Sequence, residues 1–219
     1  MIDDPLRYFD SICLNNLRIN LDYGWAYQKD IKPFQYGKSY WDNYVSLEDT
    51  ELGEKLTQFR CNLVLKYCNN ILDVGIGSGS FLKYLKINKK GFDVNPHGID
   101  WLIENKLFLN PYKDNLKFIN GFCFWDVIEH FENPNTILSL LPKKSFAFIS
   151  IPIFNQIEWI QKSKHYKPNE HLCYFTTKGF IEFMKYIDFT LIEMSSQETI
   201  LGRDSIMTFV FQKRGDANG

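Results

Sequence analysis

The chain has 219 residues, of which 25 are Lys or Arg and 26 are Asp or Glu, and its formal net charge is −1. A chain of this length can bury one substantial core, and the near balance of charges argues against a long polynucleotide or an anionic membrane as the partner. The five cysteines are odd in number and show no C-x-x-C spacing, which favours reduced thiols in a cytoplasmic protein over a disulfide framework.

The first 47 residues show no helical or strand period but are dense in aromatic side chains, and they lack the pattern of a signal peptide. The crowded rings are Tyr23, Trp25, Tyr27, Phe34, Tyr36, Tyr40, Trp41 and Tyr44. Because large rings dominate the energetics of burial, this segment either caps the core or covers a ligand cleft. We therefore expect an N-terminal helical and aromatic extension (1–49), one folded domain (50–213) and a disordered tail (214–219).

A glycine-rich turn follows the first strand of the predicted domain. Between residues 50 and 67 apolar side chains recur at spacings of three and four, which predicts an amphipathic helix. The apolar run 71–74 is then followed by three glycines, after which helical spacing resumes. These glycines are Gly75, Gly77 and Gly79. Such a turn lets the backbone approach a ligand and presents free N–H groups, as in a nucleotide-binding βαβ unit.

Two acids flank this turn. Asp73 precedes it, and Asp93 lies at the tip of the second predicted strand, where a carboxylate can accept hydrogen bonds from both ribose hydroxyls. A dinucleotide fingerprint would place the third glycine one residue further on, where this sequence has Ser80. The pattern instead resembles the D-x-G-x-G-x-G signature of class I S-adenosylmethionine-dependent methyltransferases.

That resemblance implies S-adenosylmethionine as the cofactor and S-adenosylhomocysteine as the product. It implies that the three glycines accommodate the methionine part, that Asp93 holds the ribose and that Asp73 is also a cofactor-binding residue. It also implies that residues 1–49 form part of a substrate lid. From the residues alone, a glycine-rich turn without a ligand is the alternative.

A short helix (99–105), a third strand (106–110) and a turn (111–115) come next. In class I methyltransferases the loop after the third strand often supplies an acid or backbone groups to the adenine. The resemblance therefore makes Asp114 a candidate adenine contact. The alternative is a turn aspartate exposed to solvent.

The fourth predicted strand, 118–127, leads into the segment F-W-D-V-I-E-H-F-E-N-P at 124–134. This segment resembles the D-V-L-E-H-x-x-D-P motif of a methyltransferase group that includes ubiquinone-pathway O-methyltransferases and methyltransferase domain 23-like proteins. Asn133 replaces the usual acid before Pro134 and can still cap the next helix. Since ligands lie beyond the carboxyl ends of parallel strands, we expect Trp125 and Asp126 beside the methionine half of the cofactor.

The rest of the chain is predicted as a fifth strand (145–151), a long loop (152–174), a helix that begins near residue 176 and two final strands (189–194 and 206–211). The longest apolar run, 146–154, is too short to span a bilayer. Seven strands in this order match the class I methyltransferase sheet. The predicted fold is therefore α/β, with a seven-stranded, mostly parallel, doubly wound sheet.

Two histidines are the candidate general bases. Methyl transfer from a sulfonium is an in-line displacement, and a hydroxyl acceptor must also lose its proton, a task that suits histidine near neutral pH. His130 lies in the motif described above, and His171 lies in a stretch (168–176) that resembles the acceptor-pocket segment of the same group. We expect both residues, with Asp126, in the catalytic site. The alternative is that they are surface or capping residues.

These residues also suggest a metal site. If 126–130 form a helical turn, Asp126, Glu129 and His130 share one face, and His171 can complete the set from the long loop. The set resembles the E-x-x-E-H…H metal site of small-RNA 2′-O-methyltransferases and ubiquinone-pathway O-methyltransferases, with Asp126 in place of the first glutamate. Although magnesium, manganese or zinc would suit these ligands, we expect no metal and treat Glu129 and His130 as residues that fix the turn.

The predicted function is S-adenosylmethionine-dependent O-methylation of a small molecule, with nitrogen or carbon as the alternative acceptor atom. A cluster in the long loop, Lys162, Lys164, His165 and Lys167, would suit an anionic or sugar-type acceptor, although such a run is usually solvated. One alternative function is a metal-assisted RNA ribose 2′-O-methyltransferase, against which the near-neutral charge counts. Another is a degenerate methyltransferase fold that acts as a binding module.

Overall fold

The computed structural model describes residues 3–48 and 50–215. Its helices are α1 (Pro5–Tyr8), α2 (Lys38–Glu48), α3 (Glu51–Leu65), α4 (Ser80–Tyr84), α5 (Pro96–Glu104), α6 (Asn135–Leu138), α7 (Thr177–Tyr186) and α8 (Gln197–Ile200). Its strands are β1 (Ile12–Leu14), β2 (Leu17–Asn20), β3 (Trp25–Gln28), β4 (Asn70–Val74), β5 (Asn88–Phe92), β6 (Gly121–Trp125), β7 (Phe146–Pro152), β8 (Cys173–Phe175), β9 (Phe189–Ser195) and β10 (Ile206–Lys213). Short 3₁₀ helices occupy Ile128–His130 and Ile157–Lys162.

The central sheet has the strand order β5-β4-β6-β7-β10-β9. The first four of these strands run parallel, whereas β10 is antiparallel to both of its neighbours. This confirms the predicted α/β class and the mostly parallel, Rossmann-like sheet. The sheet has six strands rather than seven, because the predicted strand 106–110 forms only a bridge from Phe108 to Gly91. A left-handed Lys106 (φ +59°) at one end and Pro111 at the other leave little extended chain for pairing.

Apolar side chains project from both faces of the sheet, as expected for parallel strands covered by helices on each side. Ile71 and Cys123 belong to a cluster that includes buried residues of α3, α4 and α5. Their neighbours along the strands, Leu72 and Phe122, point to the opposite face and belong to a cluster with residues of α6 and α7. The carboxyl ends of β4, β5 and β6 are thereby held at one edge between two helical layers.

Helix α3 leads into the first strand of the central sheet and lies within the predicted range 50–67. Its first turn is capped by Thr50, whose hydroxyl oxygen accepts a hydrogen bond from the N–H of Gly53 at 3.0 Å. Leu63 and Val64 are buried against the sheet. This packing carries Arg60, on the same helix, to the edge where the strands end.

The N-terminal extension contains a second, smaller sheet that the sequence did not predict. Strands β1, β2 and β3 pair antiparallel in succession, and β3 pairs with β8 from the predicted long loop. Each strand has three or four residues, too few for an alternating period to be recognised. Trp25 on β3 and Tyr174 on β8 are fully buried, so the sheet anchors the extension to the loop.

The predicted tail, 214–219, falls largely outside the described residues, which end at residue 215. The N–H of Arg214 donates to the carbonyl of Asp188 at 2.8 Å. Within 3–48 and 50–215, the longest and most apolar helices still fall short of what a membrane crossing needs.

Candidate functional site

A cavity of about 330 Å³ lies at the edge where β4, β5 and β6 end. Residues at or just after the ends of these strands form much of its wall, among them Gly75, Gly77, Asp93, Trp125, Asp126 and His130. Aromatic side chains of the extension complete the wall, namely Tyr36, Tyr40, Trp41 and Tyr44. The cavity therefore brings the glycine turn together with the residues after β6.

The glycine turn lies close to neighbouring side chains. Gly75, Gly77 and Gly79 have φ angles of +76°, +55° and +80°. A Cβ atom at Gly75 would lie 2.5 Å from Cγ2 of Val127, and one at Gly77 would lie 3.1 Å from the ring of Tyr44. Position 75 therefore requires glycine, both because of its positive φ and because Val127 leaves no room for a Cβ atom.

Asp93 follows β5 and is 9% exposed, facing the cavity. Its Oδ1 accepts a hydrogen bond from the N–H of Asn95 at 2.8 Å, and the Asn95 side chain in turn caps α5. Burial raises the pKa of Asp93 despite these backbone donors. Asp73 lies behind the turn, fully buried, with neither carboxylate oxygen hydrogen-bonded within the described chain. Burial raises the pKa of Asp73 well above its usual range.

Asp126 has a positive φ of +60° and belongs to a cluster of two acids and two arginines. Its Oδ1 accepts from Nη2 of Arg203 at 2.9 Å, and its Oδ2 lies 3.4 Å from Nη2 of Arg60. Both arginines also bind Glu198, which is completely buried. Burial would raise the pKa of Asp126, but the charges of Arg203 and Arg60 outweigh it and hold that pKa below its usual value. Asp126 is therefore ionised and firmly oriented.

Glu129, His130 and His171 form a second group, next to the cavity. Neither carboxylate oxygen of Glu129 is hydrogen-bonded within the described chain, and burial together with the charge of Asp126 raises its pKa well above the usual value. The two imidazole rings are 4.9 Å apart between centroids. Burial lowers the pKa of His130, and burial with the nearby His130 lowers the pKa of His171 to about 3. Both histidines are therefore neutral near pH 7.

The two halves of this group come from distant parts of the chain. His130 ends the 3₁₀ helix after β6, and its Nδ1 lies 3.3 Å from the hydroxyl of Tyr36 in the extension. The N–H of Leu172 donates to the carbonyl of Glu129 at 2.6 Å, which places His171 against His130. Gln28 on β3 donates to the carbonyl of His171 at 2.6 Å. The small sheet therefore helps to hold the histidines together.

Three of the four predicted metal ligands lie together. One ligand atom each of Glu129, His130 and His171 lies within 4.8 Å of the other two. Nδ1 of His171 faces the carbonyl of His165 at 2.9 Å, as is common for metal-binding histidines. A buried carboxylate without a partner and two neutral imidazoles fit a divalent transition metal. Asp126, the fourth predicted ligand, is bonded to the arginines instead.

Other predicted residues lie away from the cavity wall. Asp114 is exposed, and its carboxylate accepts from the N–H of Asn110 at 2.7 Å, whereas Tyr112 of the same turn lines the cavity. Two lysines of the basic cluster in the long loop form ion pairs outside the cavity wall, Lys164 with Asp204 at 3.2 Å and Lys167 with Glu170 at 3.1 Å.

The sequence reasoning missed Arg60, Glu198 and Arg203. For Arg60 the sequence offers one signal. It is an arginine among the apolar positions of the predicted helix that immediately precedes the first strand of the domain. Glu198 and Arg203 gave none, because they lie between the last two predicted strands in a stretch without a recognisable motif.

Comparison with known proteins agrees with this geometry. A family model described as a methyltransferase domain matches residues 45–194. Comparison with curated protein sequences gave no significant match.

Solved structures of similar fold are numerous. One is a chain of the complex between the Haloferax volcanii Trm112 methyltransferase activator and a methyltransferase. Its TM-score is 0.60 and its sequence identity is 12%, and the alignment covers 84% of this chain and 100% of that one. Magnesium protoporphyrin IX methyltransferase from Synechocystis, with bound S-adenosylhomocysteine, has a TM-score of 0.58, 9% identity and coverage of 81% and 96%. 1,6-Didemethyltoxoflavin-N1-methyltransferase from Burkholderia thailandensis has a TM-score of 0.53, 14% identity and coverage of 87% and 96%. At these identities the likeness is one of fold.

The sheet, the glycine turn and the acid after β5 define a class I S-adenosylmethionine-dependent methyltransferase. Since the family model covers most of the chain, the protein belongs to that methyltransferase-domain family. It is therefore an enzyme.

Proposed function

We propose that this enzyme transfers the methyl group of S-adenosylmethionine to a hydroxyl oxygen of a small molecule. The observation that carries the proposal is a single cavity whose wall includes both Asp93 with the glycine turn and the His130 imidazole. In the proposed complex the carboxylate of Asp93 accepts hydrogen bonds from the ribose, and the glycine turn and Trp125 lie against the methionine part. Tyr112, rather than Asp114, contacts the adenine.

The proposed reaction is an in-line displacement. The bond from the methyl carbon to sulfur breaks as the bond to the acceptor oxygen forms, and sulfur keeps the electron pair. His130 takes the hydroxyl proton. It can do so because its lowered pKa leaves the imidazole neutral. Asp126 is ionised and paired, so its part is to fix the end of β6 rather than to accept the proton. His171 supports the His130 ring from behind.

The extension is proposed to close over the bound ligands. Tyr36, Tyr40 and Tyr44 line the cavity, and Tyr36 contacts His130. A cover of this kind excludes water from the transfer and limits the size of the acceptor. It supports a small molecule over an RNA chain.

Methyl transfer from isotopically labelled S-adenosylmethionine tests the proposal. The enzyme is incubated with the low-molecular-weight fraction and, separately, with the small-RNA fraction of a cell extract. We expect label in the low-molecular-weight fraction, and a loss of about 100-fold or more in His130→Ala, since a positioned base contributes that much. His97→Ala, which removes an exposed histidine, is the matched control. Label confined to RNA, or no label from a protein that binds S-adenosylhomocysteine, would overturn the proposal.

The group of Glu129, His130 and His171 favours a second candidate, in which a divalent metal orients the acceptor hydroxyl. The three residues would hold the ion and leave coordination positions open, and the ion would lower the pKa of the hydroxyl. The set would suit a ribose 2′-hydroxyl as well as a small molecule.

Elemental analysis separates the two candidates. Protein purified without chelator would contain about one divalent metal per chain if the second candidate holds, and His171→Gln would lose it while His97→Ala kept it. If wild-type protein contains no metal even after dialysis against zinc, manganese or magnesium, Glu129 is a buried neutral acid and the first candidate stands.

A further inference from the structure

Helix α2 of the extension lies across the cavity, over the ends of β4 and β5. Its side chains Tyr40, Trp41 and Tyr44 belong to the cavity wall. A Cβ atom at Gly98, in α5, would lie 3.1 Å from Cβ of Asp93 and 3.3 Å from the Trp41 ring. The helix therefore faces the acid after β5 with one ring and, with Tyr44, the turn after β4.

Tyr44 packs directly on the glycine turn. A Cβ atom at Gly77 would lie 3.1 Å from Cδ1 of the Tyr44 ring and 3.7 Å from its Cγ and Cε1. The Tyr44 hydroxyl lies 3.2 Å from the hydroxyl of Tyr40, one helical turn earlier, and this hydrogen bond orients the ring. The space that glycine leaves free at position 77 is thus filled by a side chain of the protein itself.

The cofactor of the proposed reaction needs the same surface. In the proposed complex the methionine part lies against the glycine turn, which a ligand can approach closely because it carries no side chains. A ring in van der Waals contact with Gly77 and a ligand in contact with the same face cannot be present together. The Tyr44 ring must therefore leave Gly77 before the methionine part can reach it.

Helix α2 is held more weakly than α3. Among the α2 side chains that the structure describes none is buried, whereas four residues of α3 are buried. At the end of α2, Glu48 pairs with Lys83 at 2.9 Å, and the Lys83 side chain is 44% exposed. A helix with so little buried apolar surface separates from its domain at a low cost in free energy.

We propose that Tyr44 is an autoinhibitory residue: α2 closes the cofactor site by placing the Tyr44 ring on Gly77, and S-adenosylmethionine enters only when α2 moves away. This inference rests on the proposed function, because it assumes that the cavity takes S-adenosylmethionine. The apparent affinity for the cofactor is then reduced by the fraction of molecules in which α2 is open. After the cofactor has entered, α2 closes over it with Tyr44 displaced from Gly77.

Stopped-flow binding of S-adenosylhomocysteine, followed by tryptophan fluorescence, tests the inference, since Trp41 and Trp125 both line the cavity. In wild-type protein the observed rate should level off at high ligand concentration, because the opening of α2 then limits binding. In Tyr44→Ala the rate should rise linearly over the same range, with an association rate constant about 10-fold higher. Tyr84→Ala, which removes an exposed tyrosine outside the cavity wall, is the matched control and should behave as wild-type protein does.

Glu48→Gln is a second variant, and it leaves the cavity wall intact. It removes the ion pair with Lys83, so α2 should open more easily. The limiting rate should rise by about 2- to 5-fold, the usual worth of an exposed ion pair. If Tyr44 were only a contact of the bound ligand, this variant would bind at the wild-type rate.

The results separate the inference from the proposed function. A linear rise of the rate in wild-type protein, or equal association rate constants in wild-type protein and Tyr44→Ala, would show that Tyr44 does not block the site. The inference would then be wrong, while the proposed function would stand. If calorimetry at high ligand concentration detects binding to neither protein, the proposed function itself fails. The concentration dependence in wild-type protein needs no variant to fold.

Discussion

The absence of a side chain at Gly75 allows the conformation and close packing of the glycine turn. Its φ is +76°, and an added Cβ would lie 2.5 Å from Cγ2 of Val127. We therefore expect Gly75→Ala to lower the free energy of unfolding by about 2–4 kcal/mol, from backbone strain and overpacking together. Urea denaturation measures this change.

Two variants separate the contributions at Gly75. Gly202 also has a positive φ, +108°, but apart from its chain neighbours no atom of the described residues lies within 4 Å of an added Cβ, so Gly202→Ala should show only strain. In a Val127→Ala background, Gly75→Ala should cost less than in wild-type protein. Equal effects of the Gly75 and Gly202 variants would mean that close packing against Val127 is unimportant.

His171 makes stability depend on pH. Burial and the adjacent His130 lower its pKa to about 3, whereas in the unfolded chain it titrates near 6.5. Between these values the unfolded chain binds more protons, so the free energy of unfolding falls on acidification, by up to about 1.4 kcal/mol per pH unit. Glu129 has the opposite effect. Because its pKa is raised in the folded protein, the folded state binds the extra proton at pH values above the usual pKa of glutamate, so acidification through that range increases stability.

A comparison with His171→Gln isolates the histidine from Glu129. On going from about pH 7 to pH 4, wild-type protein should lose about 2–3 kcal/mol more stability than the variant. Urea unfolding at a series of pH values checks this. Parallel losses in the two proteins would show that His171 is protonated as easily in the folded as in the unfolded state.

At the scale of secondary structure, Glu198 connects three elements. It lies on α8, and it binds Arg60 of α3 and Arg203 before β10, with Ser150 of β7 donating to its Oε1 at 2.6 Å. Loss of its charge leaves two nearly buried arginines with one carboxylate. We expect Glu198→Gln to lower the free energy of unfolding by about 3 kcal/mol.

Glu193 provides the control for Glu198. It also accepts hydrogen bonds from a cation and a hydroxyl, those of Lys66 and Tyr67, but its side chain is 30% exposed. Glu193→Gln should cost less than about 1 kcal/mol. Chemical denaturation of both variants gives the comparison, and equal costs would show that the buried cluster contributes no more than a surface pair.

The elements that the sequence predicted are those with local patterns. The helix before β4, the glycine turn and Asp93 could be placed because their signals lie within a short stretch of chain. The small sheet could not, since its strands are too short to show a period and β3 pairs with a strand from the long loop. The charge cluster could not either, because Arg60 lies 66 residues from Asp126 and 138 from Glu198. Such contacts depend on how the whole chain folds.

At the scale of the whole molecule, the extension and the domain share one site. The small sheet meets the central sheet at the bridge between Ile153 and Phe175, and its Gln28 holds the segment that carries His171. The cavity is thus lined by residues of both the extension and the domain. A ligand that fills it should stabilise the extension and the domain together, by mass action on one folded state.

Calorimetric titration of S-adenosylhomocysteine into wild-type protein and Asp93→Ala tests the central claim most directly. We predict about one site per chain in wild-type protein and a loss of about 100-fold or more in Asp93→Ala, because the ribose loses hydrogen bonds to a carboxylate. Asp100→Ala, at an exposed acid on α5, should bind as wild-type protein does. No heat from wild-type protein at high ligand concentration, or an unchanged affinity in Asp93→Ala, would contradict the account.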